Sequence, residues 1–410
     1  MAAAFSAPVV KGWWPGLFAP MQAADGWLVR VRPPLGRMTA AQAHLLADVA
    51  EQDGNGQISL TNRGNVQLRG FSLEAAHAFP QRMIAAGLGQ ADPEAERRLA
   101  LQVSPLAGID PACATETMLC ADALRSGLID HPSLSALPDK FGFCVDGGGF
   151  FPTGSLRADI MLQAVESTAS SEAGWRVVCG SSCSEPQTVH EGVQIALALA
   201  EAFVKRGETQ RPLREPAIGK QLFAEIGLRG VSACGAEMQN GSLLAARAGH
   251  LTGSAYAAVA PLGRLTATTL RACAHVAQQG DGLLRMTAWS GMVFSGLKKN
   301  PEISGMITHP DDARLRVYAC IGAPGCAQAA GDVGRDALAL APFLPDKVDL
   351  HVSGCRKGCA HPGAATVTLV AGSEGYGMVL QGTASDEPIC ILPKTEDVRA
   401  FLQALPKGDV

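Results

Sequence analysis

The sequence predicts an α+β protein in which two copies of one half-domain pair about a pseudo-twofold axis, accompanied by two further α/β units. Three observations predict it. A strand, helix, strand, strand, helix order read near the start returns late in the chain, where PLGRLT at 261–266 repeats PLGRMT at 34–39. The copies lie too far apart for a solenoid, whose repeats recur every ~20 to 50 residues, so they are expected to meet in space as halves of one domain. Finally, the stretch from Ala319 to Pro362 gathers four of the cysteines in two tight pairs among glycines and prolines, residues that let backbone bend closely around a compact object.

Composition bounds the partners. A chain of 410 residues exceeds one ordinary core and predicts roughly two to four domains. With 47% hydrophobic residues, 18% charged residues and a formal net charge of -4, it offers no electrostatic case for nucleic acid, and a small-molecule partner is expected. The N-terminal MAAAFSAPVVKGWWPG lacks the basic start and continuous apolar core of a signal peptide, and no run reaches the ~18 apolar residues of a membrane span. The expectation is a cytoplasmic protein, whose twelve cysteines are then thiols or metal ligands.

In chain order, GWLVRVRPPLG at 26–36 alternates as a strand with Leu28 and Val31 inward and Arg30 and Arg32 near one edge. Thr39 with Gln42 forms a helix-capping pattern, Leu46, Val49 and Ala50 supply the apolar stripe, and DGNG at 53–56 ends the helix. Ile58–Thr61 and Val66–Leu68 read as short strands joined by Asn62, Arg63 and Gly64, and a helix bent by Pro80 follows from Ser72 to Gly87. The second copy keeps the pattern: a Thr266 cap, a helix through Leu270 and Val276 to Gly280, then strands around Leu284 and Val293. Thr61 aligns with Thr287 and Gly70 with Gly296. Between the copies lie helices around Val193–Ala202 and Ile218–Leu228; the last unit reads strand, loop, helix, strand, loop, strand, with a polar tail at Lys407–Val410. Cys113, Cys120, Cys144, Cys179, Cys183, Cys234, Cys273 and Cys390 show no ligand-like pairing and are expected to be core or incidental residues. The Gly147–Gly149 run is too short for a phosphate cradle, and no dinucleotide fingerprint appears.

Cys320, Cys326, Cys355 and Cys359 admit three readings. Structural zinc favours pairs two to four residues apart, which the wider Cys320–Cys326 gap does not match. Disulfides need an oxidising compartment, and plain core cysteines do not gather at glycine-rich bends. An iron-sulfur cluster needs four converging thiolates and free backbone N–H donors, which this stretch provides best.

These residues resemble the cluster signature of the nitrite and sulfite reductase superfamily, and GCRKGCAHP is closest to its precorrin-3B synthase branch. SPLAGIDP at 104–111, LPDKFGFCVDGGG at 137–149, LTNRGNVQLRG at 60–70 and GWWPGLFAPM at 12–21 resemble superfamily segments as well. The resemblance implies two ferredoxin-like half-domains (1–90 and 241–300) forming the central domain. It also implies two nitrite/sulfite reductase-type α/β domains (91–240 and 301–410), the last binding a 4Fe-4S cluster through the four cysteines. By the same resemblance Arg63 and Arg69 bind carboxylates of a siroheme-like tetrapyrrole, a job suited to the planar guanidinium fork. Lys140 holds the first of two anion-binding lysine positions of the reductases, and Gly142 stands at the second. An arginine that the reductases carry before SPLAGIDP is not in place, with Arg98 the nearest substitute. Trp13 and Trp14 pack over the core or over the macrocycle.

For the precorrin-3B synthase branch, the resemblance implies precorrin-3A and dioxygen as substrates. The ring is hydroxylated, the ring A acetate closes as a lactone, and electrons arrive from an external reductase or ferredoxin. It also implies a mononuclear non-haem iron, whose ligands spacing does not identify; His309, His351 and His361 are nearby histidines. Two rivals stay open: a siroheme-dependent sulfite or nitrite reductase, and a non-enzymatic electron carrier or tetrapyrrole-binding protein.

Overall fold

The computed structural model describes residues 15–151, 153, 158–165, 174–208, 210–232 and 247–405. The expectations for Trp13, Trp14, Cys234 and the 407–410 tail fall outside them.

The first half runs β1 (Met21–Ala23), β2 (Gly26–Val31), β3 (Arg37–Thr39), α1 (Ala40–Gln52), β4 (Gln57–Leu60), β5 (Val66–Phe71) and α2 (Leu73–Ala85). The Thr39 hydroxyl accepts from the Gln42 N–H while the Gln42 side chain accepts from the Thr39 N–H, which fixes the start of α1. Its stripe of Leu46, Val49 and Ala50 is fully buried. β2 departs from the simple alternation expected of it, because a bulge between Trp27 and Val29 lets Leu28, Val29 and Val31 all turn inward.

An α/β unit follows with α3 (Pro93–Arg98), β6 (Leu101–Val103), α4 (Thr117–Asp130), β7 (Phe143–Asp146), β8 (Ile160–Val165), β9 (Gly174–Cys179), β10 (Ser182–Cys183), α5 (Val189–Arg206), α6 (Ile218–Glu225) and β11 (Val231–Ser232). The second half contains β12 (Gly249–Thr252), β13 (Ala255–Val259), β14 (Arg264–Thr266), α7 (Ala267–Gln278), β15 (Leu283–Met286) and β16 (Gly291–Phe294). The last unit holds β17 (Val317–Ala319), α8 (Val333–Leu340), β18 (Leu350–Ser353), β19 (Ala365–Gly372), β20 (Gly375–Gly382), β21 (Cys390–Leu392) and α9 (Thr395–Ala404). The β20–β21 pairing and α9 were absent from the sequence reading.

The PLGR repeat is also a repeat of backbone. Leu35 and Leu262 both take left-handed φ, 51° and 55°, and each is followed by a glycine at φ near +70° (69° and 71°). A leucine in that region costs on the order of 1 kcal/mol, so the same strained turn is held twice by its surroundings. The turn sends the next strand out of its own half. β3 pairs with β15, and β14 pairs with β4, so the sheets β1-β2-β5-β4-β14 and β12-β13-β16-β15-β3 each close with a strand from the other copy. Helices α1 and α7 pack together beneath them, with Arg271 held by Asp48 (2.7 Å) and Glu51 (2.6 Å). Leu46, Ile58 and Leu68 of one half share a single core with Leu270, Leu284 and Phe294 of the other. Neither sheet is complete without the exchange.

The two α/β units share a topology as well. In each, three parallel strands (β6-β7-β8, β17-β18-β19) are followed by an antiparallel one, and a helix bridges the first two. Their loops share backbone hydrogen bonds at matched positions. Asp110 N–H donates to Leu106 O as Cys326 N–H does to Gly322 O, and Ala114 N–H donates to Gly147 O as Ala330 N–H does to Gly354 O. Ser104 and Asp110 therefore stand where the last unit has Cys320 and Cys326. No helix among the described residues is long and apolar enough to cross a membrane.

Candidate functional site

Loops at the carboxyl ends of parallel strands are where α/β sheets place ligands, and both cysteine pairs lie there, after β17 and after β18. They face a cavity of about 690 Å³ between the central domain and the last unit. Its other walls come from the β4–β5 turn with Arg63, from Arg30, Gln67 and Arg69 on β2 and β5, and from Arg247, Arg264, Trp289, Arg314 and Tyr318.

Six arginines on one cavity make its electrostatics unambiguous. Burial first, then Arg32 and Arg63, lowers the Arg30 guanidinium to about 10. Burial and then Arg211 lower Arg63 as well. Desolvated cations that crowd one another define a place where bound carboxylates relieve the repulsion.

Arg69 requires a correction. It lines the cavity, but its fork is already taken: Nε and Nη2 donate to Asp25 at 2.9 and 2.8 Å, and Nη2 also donates to the Gly325 carbonyl at 2.8 Å. With 5% of its side chain exposed, it ties the central domain to the first cysteine loop instead of offering a fork to a ligand. Arg264 does the matching job beside it. Its Nη2 donates to the Ala319 carbonyl at 3.0 Å and to the Cys320 carbonyl.

Lys140 is not among the cavity-lining residues, and its carbonyl accepts from Arg211. Gly142, however, bears on the site. A Cβ there would lie 3.5 Å from Nη1 of Arg63, so a lysine at this position would set a second cation against that guanidinium. Arg98 does not replace the missing arginine, since Nε and Nη2 donate to the Leu128 and Ile129 carbonyls at the end of α4.

Cys320, Cys326 and Cys355 are half-buried and Cys359 is exposed at its residue surface. Burial raises the Cys359 thiol, Lys357 offsets this in part, and the other three cysteines raise it further. The Gly354 N–H donates to the Cys320 Sγ at 3.1 Å, and a Cβ on Gly354 would come within 2.6 Å of Ala329. Such a cradle, with four thiols and a backbone donor aimed at sulfur, fits a 4Fe-4S cluster. Among the described residues no three His, Cys, Asp or Glu side chains are placed to share a single metal ion.

His309 is exposed and is not among the cavity-lining residues. His351 is fully buried without a partner for either ring nitrogen among the described residues, and burial followed by His361 lowers it to about 4. His361 stacks on Tyr318 at 4.5 Å, and Tyr318 lines the cavity. Arg247, Arg264, Arg314, Trp289 and Tyr318 were missed in the sequence. Two had a signal: Arg264 lies inside PLGRLT, and Trp289 follows Thr287 by the two places that separate Arg63 from Thr61.

Comparison with known proteins agrees with this construction. Residues 20–86 and 250–300 match the nitrite/sulfite reductase ferredoxin-like half domain. A precorrin-3B synthase from Sinorhizobium sp is 32% identical over 399 residues, covering 92% of this chain and 84% of the relative. A ferredoxin–nitrite reductase from Synechococcus elongatus is 25% identical, over 87% of this chain and 78% of its own. The structure of Mycobacterium tuberculosis NirA protein superposes with a TM-score of 0.69 at 18% identity, covering 94% of this chain and 82% of that one, which establishes the shared fold.

Proposed function

The chain belongs to the precorrin-3B synthase family, and from that premise we propose that it hydroxylates precorrin-3A at the expense of dioxygen and closes the ring A acetate onto the neighbouring carbon as a lactone. It is an oxidoreductase of cobalamin biosynthesis, which we place in the cytoplasm. One oxygen atom of dioxygen enters the product as the hydroxyl. The other leaves as water, taking up two electrons from an external reductase or ferredoxin and two protons. The acetate supplies both lactone oxygens and gives up its proton as the new C–O bond forms.

The observation that carries this reading is the arginine-walled cavity facing four converging cysteines. A tetrapyrrole edged with acetates and propionates is the ligand whose charge matches Arg30, Arg63 and Arg247, whereas the fork of Arg314 is held by Asp312 at 2.6 Å. Each charge-assisted hydrogen bond to it contributes ~1.5 to 3 kcal/mol. Cys320, Cys326, Cys355 and Cys359 would hold a 4Fe-4S cluster, which supplies single electrons to the site when bound. Arg69 and Arg264 hold the Cys320–Cys326 loop against the central domain, and so fix the distance between thiolates and cavity. Trp289 and Tyr318 form the aromatic part of the wall. The same reading divides the chain into units 1–90, 91–240, 241–300 and 301–410.

Siroheme-dependent nitrite reduction is the second reading, favoured by the Synechococcus relative. It is opposed by Gly142, which supplies no cation at the place of the reductases' second lysine, beside Arg63. Incubation of cluster-loaded protein with precorrin-3A, dioxygen and a low-potential donor tests the proposal: a product heavier by one oxygen atom supports it, and brisk nitrite reduction by protein purified with siroheme overturns it.

A further inference from the structure

The matched loops of the two α/β units have opposite contents. Where the last unit has Cys320 and Cys326, the first has Ser104 and Asp110. The Asp110 carboxylate fills the intervening space, accepting from Phe150 N–H at 2.6 Å and from Ala112 N–H at 3.0 Å, so these loops close on each other with no cluster between them. The central domain repeats the contrast. The β15–β16 turn has the form of the β4–β5 turn, with Ser290 at φ 60° where Gly64 has 68°, but it carries Trp289 where the other carries Arg63. The Trp289 ring lies 4.6 Å from that of Phe151, which is 2% exposed.

A second cavity of about 180 Å³ results, walled mainly by Leu101, Val103, Phe151, Met286 and Trp289. It adjoins the large cavity, since Arg63, Arg247, Ala288 and Trp289 line both. A pocket holds water only where two to four polar partners converge, whereas apolar cavities stay dry and take apolar guests such as xenon. Arg63 and Arg247 stand at the shared boundary; of the remaining walls Leu101, Val103, Pro105, Phe151 and Met286 are apolar, Thr153 turns its hydroxyl to the Val145 carbonyl at 3.0 Å, and Gln102 is the one other polar side chain among the described lining residues. This wall selects against the carboxylates and small anions that the arginines attract.

We infer that the cavity between Val103, Phe151, Met286 and Trp289 is a chamber for dioxygen, which admits it to the tetrapyrrole cavity at Ala288. The inference rests on the functional reading above and adds where the small apolar substrate is held. Val103→Phe would fill the chamber from β6; Leu101→Trp, from a half-buried position two residues away, serves if the first variant folds poorly.

Two measurements decide it. Xenon binding to cluster-loaded protein, read by xenon NMR, should be seen in the wild type and be lost in the filled variant. In steady state the filled variant should show a KM for dioxygen raised about tenfold, with tetrapyrrole affinity, read by fluorescence titration, unchanged. Absence of xenon binding in the wild type, or an unaltered dioxygen KM in a variant that no longer binds xenon, overturns the chamber. Failure of the wild type to consume dioxygen with precorrin-3A overturns the functional reading instead, and xenon occupancy alone then reports whether the cavity takes an apolar gas.

Discussion

Replacing Arg63 with alanine separates a binding arginine from a structural one. In the folded protein its guanidinium is partly desolvated and repelled by Arg211 and Arg32, with Asp159 the compensating charge. Removing it therefore relieves as well as removes interactions, and the melting temperature is expected to hold within a few degrees. The bound tetrapyrrole, by contrast, loses a charge-assisted pair worth ~1.5 to 3 kcal/mol, or about 10- to 150-fold in Kd. Arg63→Lys should recover only part of this, because an ammonium cannot offer a planar fork. Fluorescence titration with the tetrapyrrole gives the affinity, thermal unfolding gives the stability, and the visible spectrum reports the cluster, which should be untouched. Unchanged affinity together with a clearly lowered melting temperature would refute the reasoning and make Arg63 a structural residue.

Three other predictions follow from the same geometry. Cys320→Ser, Cys326→Ser and Cys355→Ser should each abolish the broad visible absorption of reconstituted protein, since an alkoxide is a poor fourth ligand for a cube; full iron and sulfide retention in all three would remove the assignment. Arg69→Ala leaves the Gly325 carbonyl without its donor and Asp25 with only that of Asn55, and should cost about 3 kcal/mol in denaturant unfolding and speed cluster loss, whereas tetrapyrrole affinity changes little. His351 is held neutral down to about 4, below its ordinary 6.5. The unfolded chain takes up a proton first as pH falls, so stability is present above 6.5 and is lost progressively between 6.5 and about 4, by roughly 3 kcal/mol. His351→Phe should flatten that part of the stability curve; an identical acid limb in the variant would count against it.

The central domain was legible because its repeat is written in residues with strong local demands: a Thr cap, and a Leu-Gly pair in left-handed φ before each exchanged strand. The exchange itself was not, because three-residue strands such as β3 and β14 carry no sign of which sheet they join. The cysteines were legible as a set, since thiolate spacing among glycines is local. Arg69 was misread because the partner that occupies it, Asp25, sits 44 residues earlier and only β-pairing brings it near. Arg98 was misread for a similar reason, its acceptors being carbonyls at the end of a helix. The likeness between the Ser104–Asp110 loop and the Cys320–Cys326 loop lies in backbone hydrogen bonds, with the diagnostic residues replaced, and only coordinates expose it.

The most direct test of the account is mass spectrometry of the product formed from precorrin-3A by cluster-loaded protein under oxygen-18 dioxygen. The account predicts one label, carried by the new hydroxyl, with both lactone oxygens unlabelled because the acetate supplied them. Product formed at the same rate without dioxygen, or carrying label from water in the hydroxyl, would contradict it.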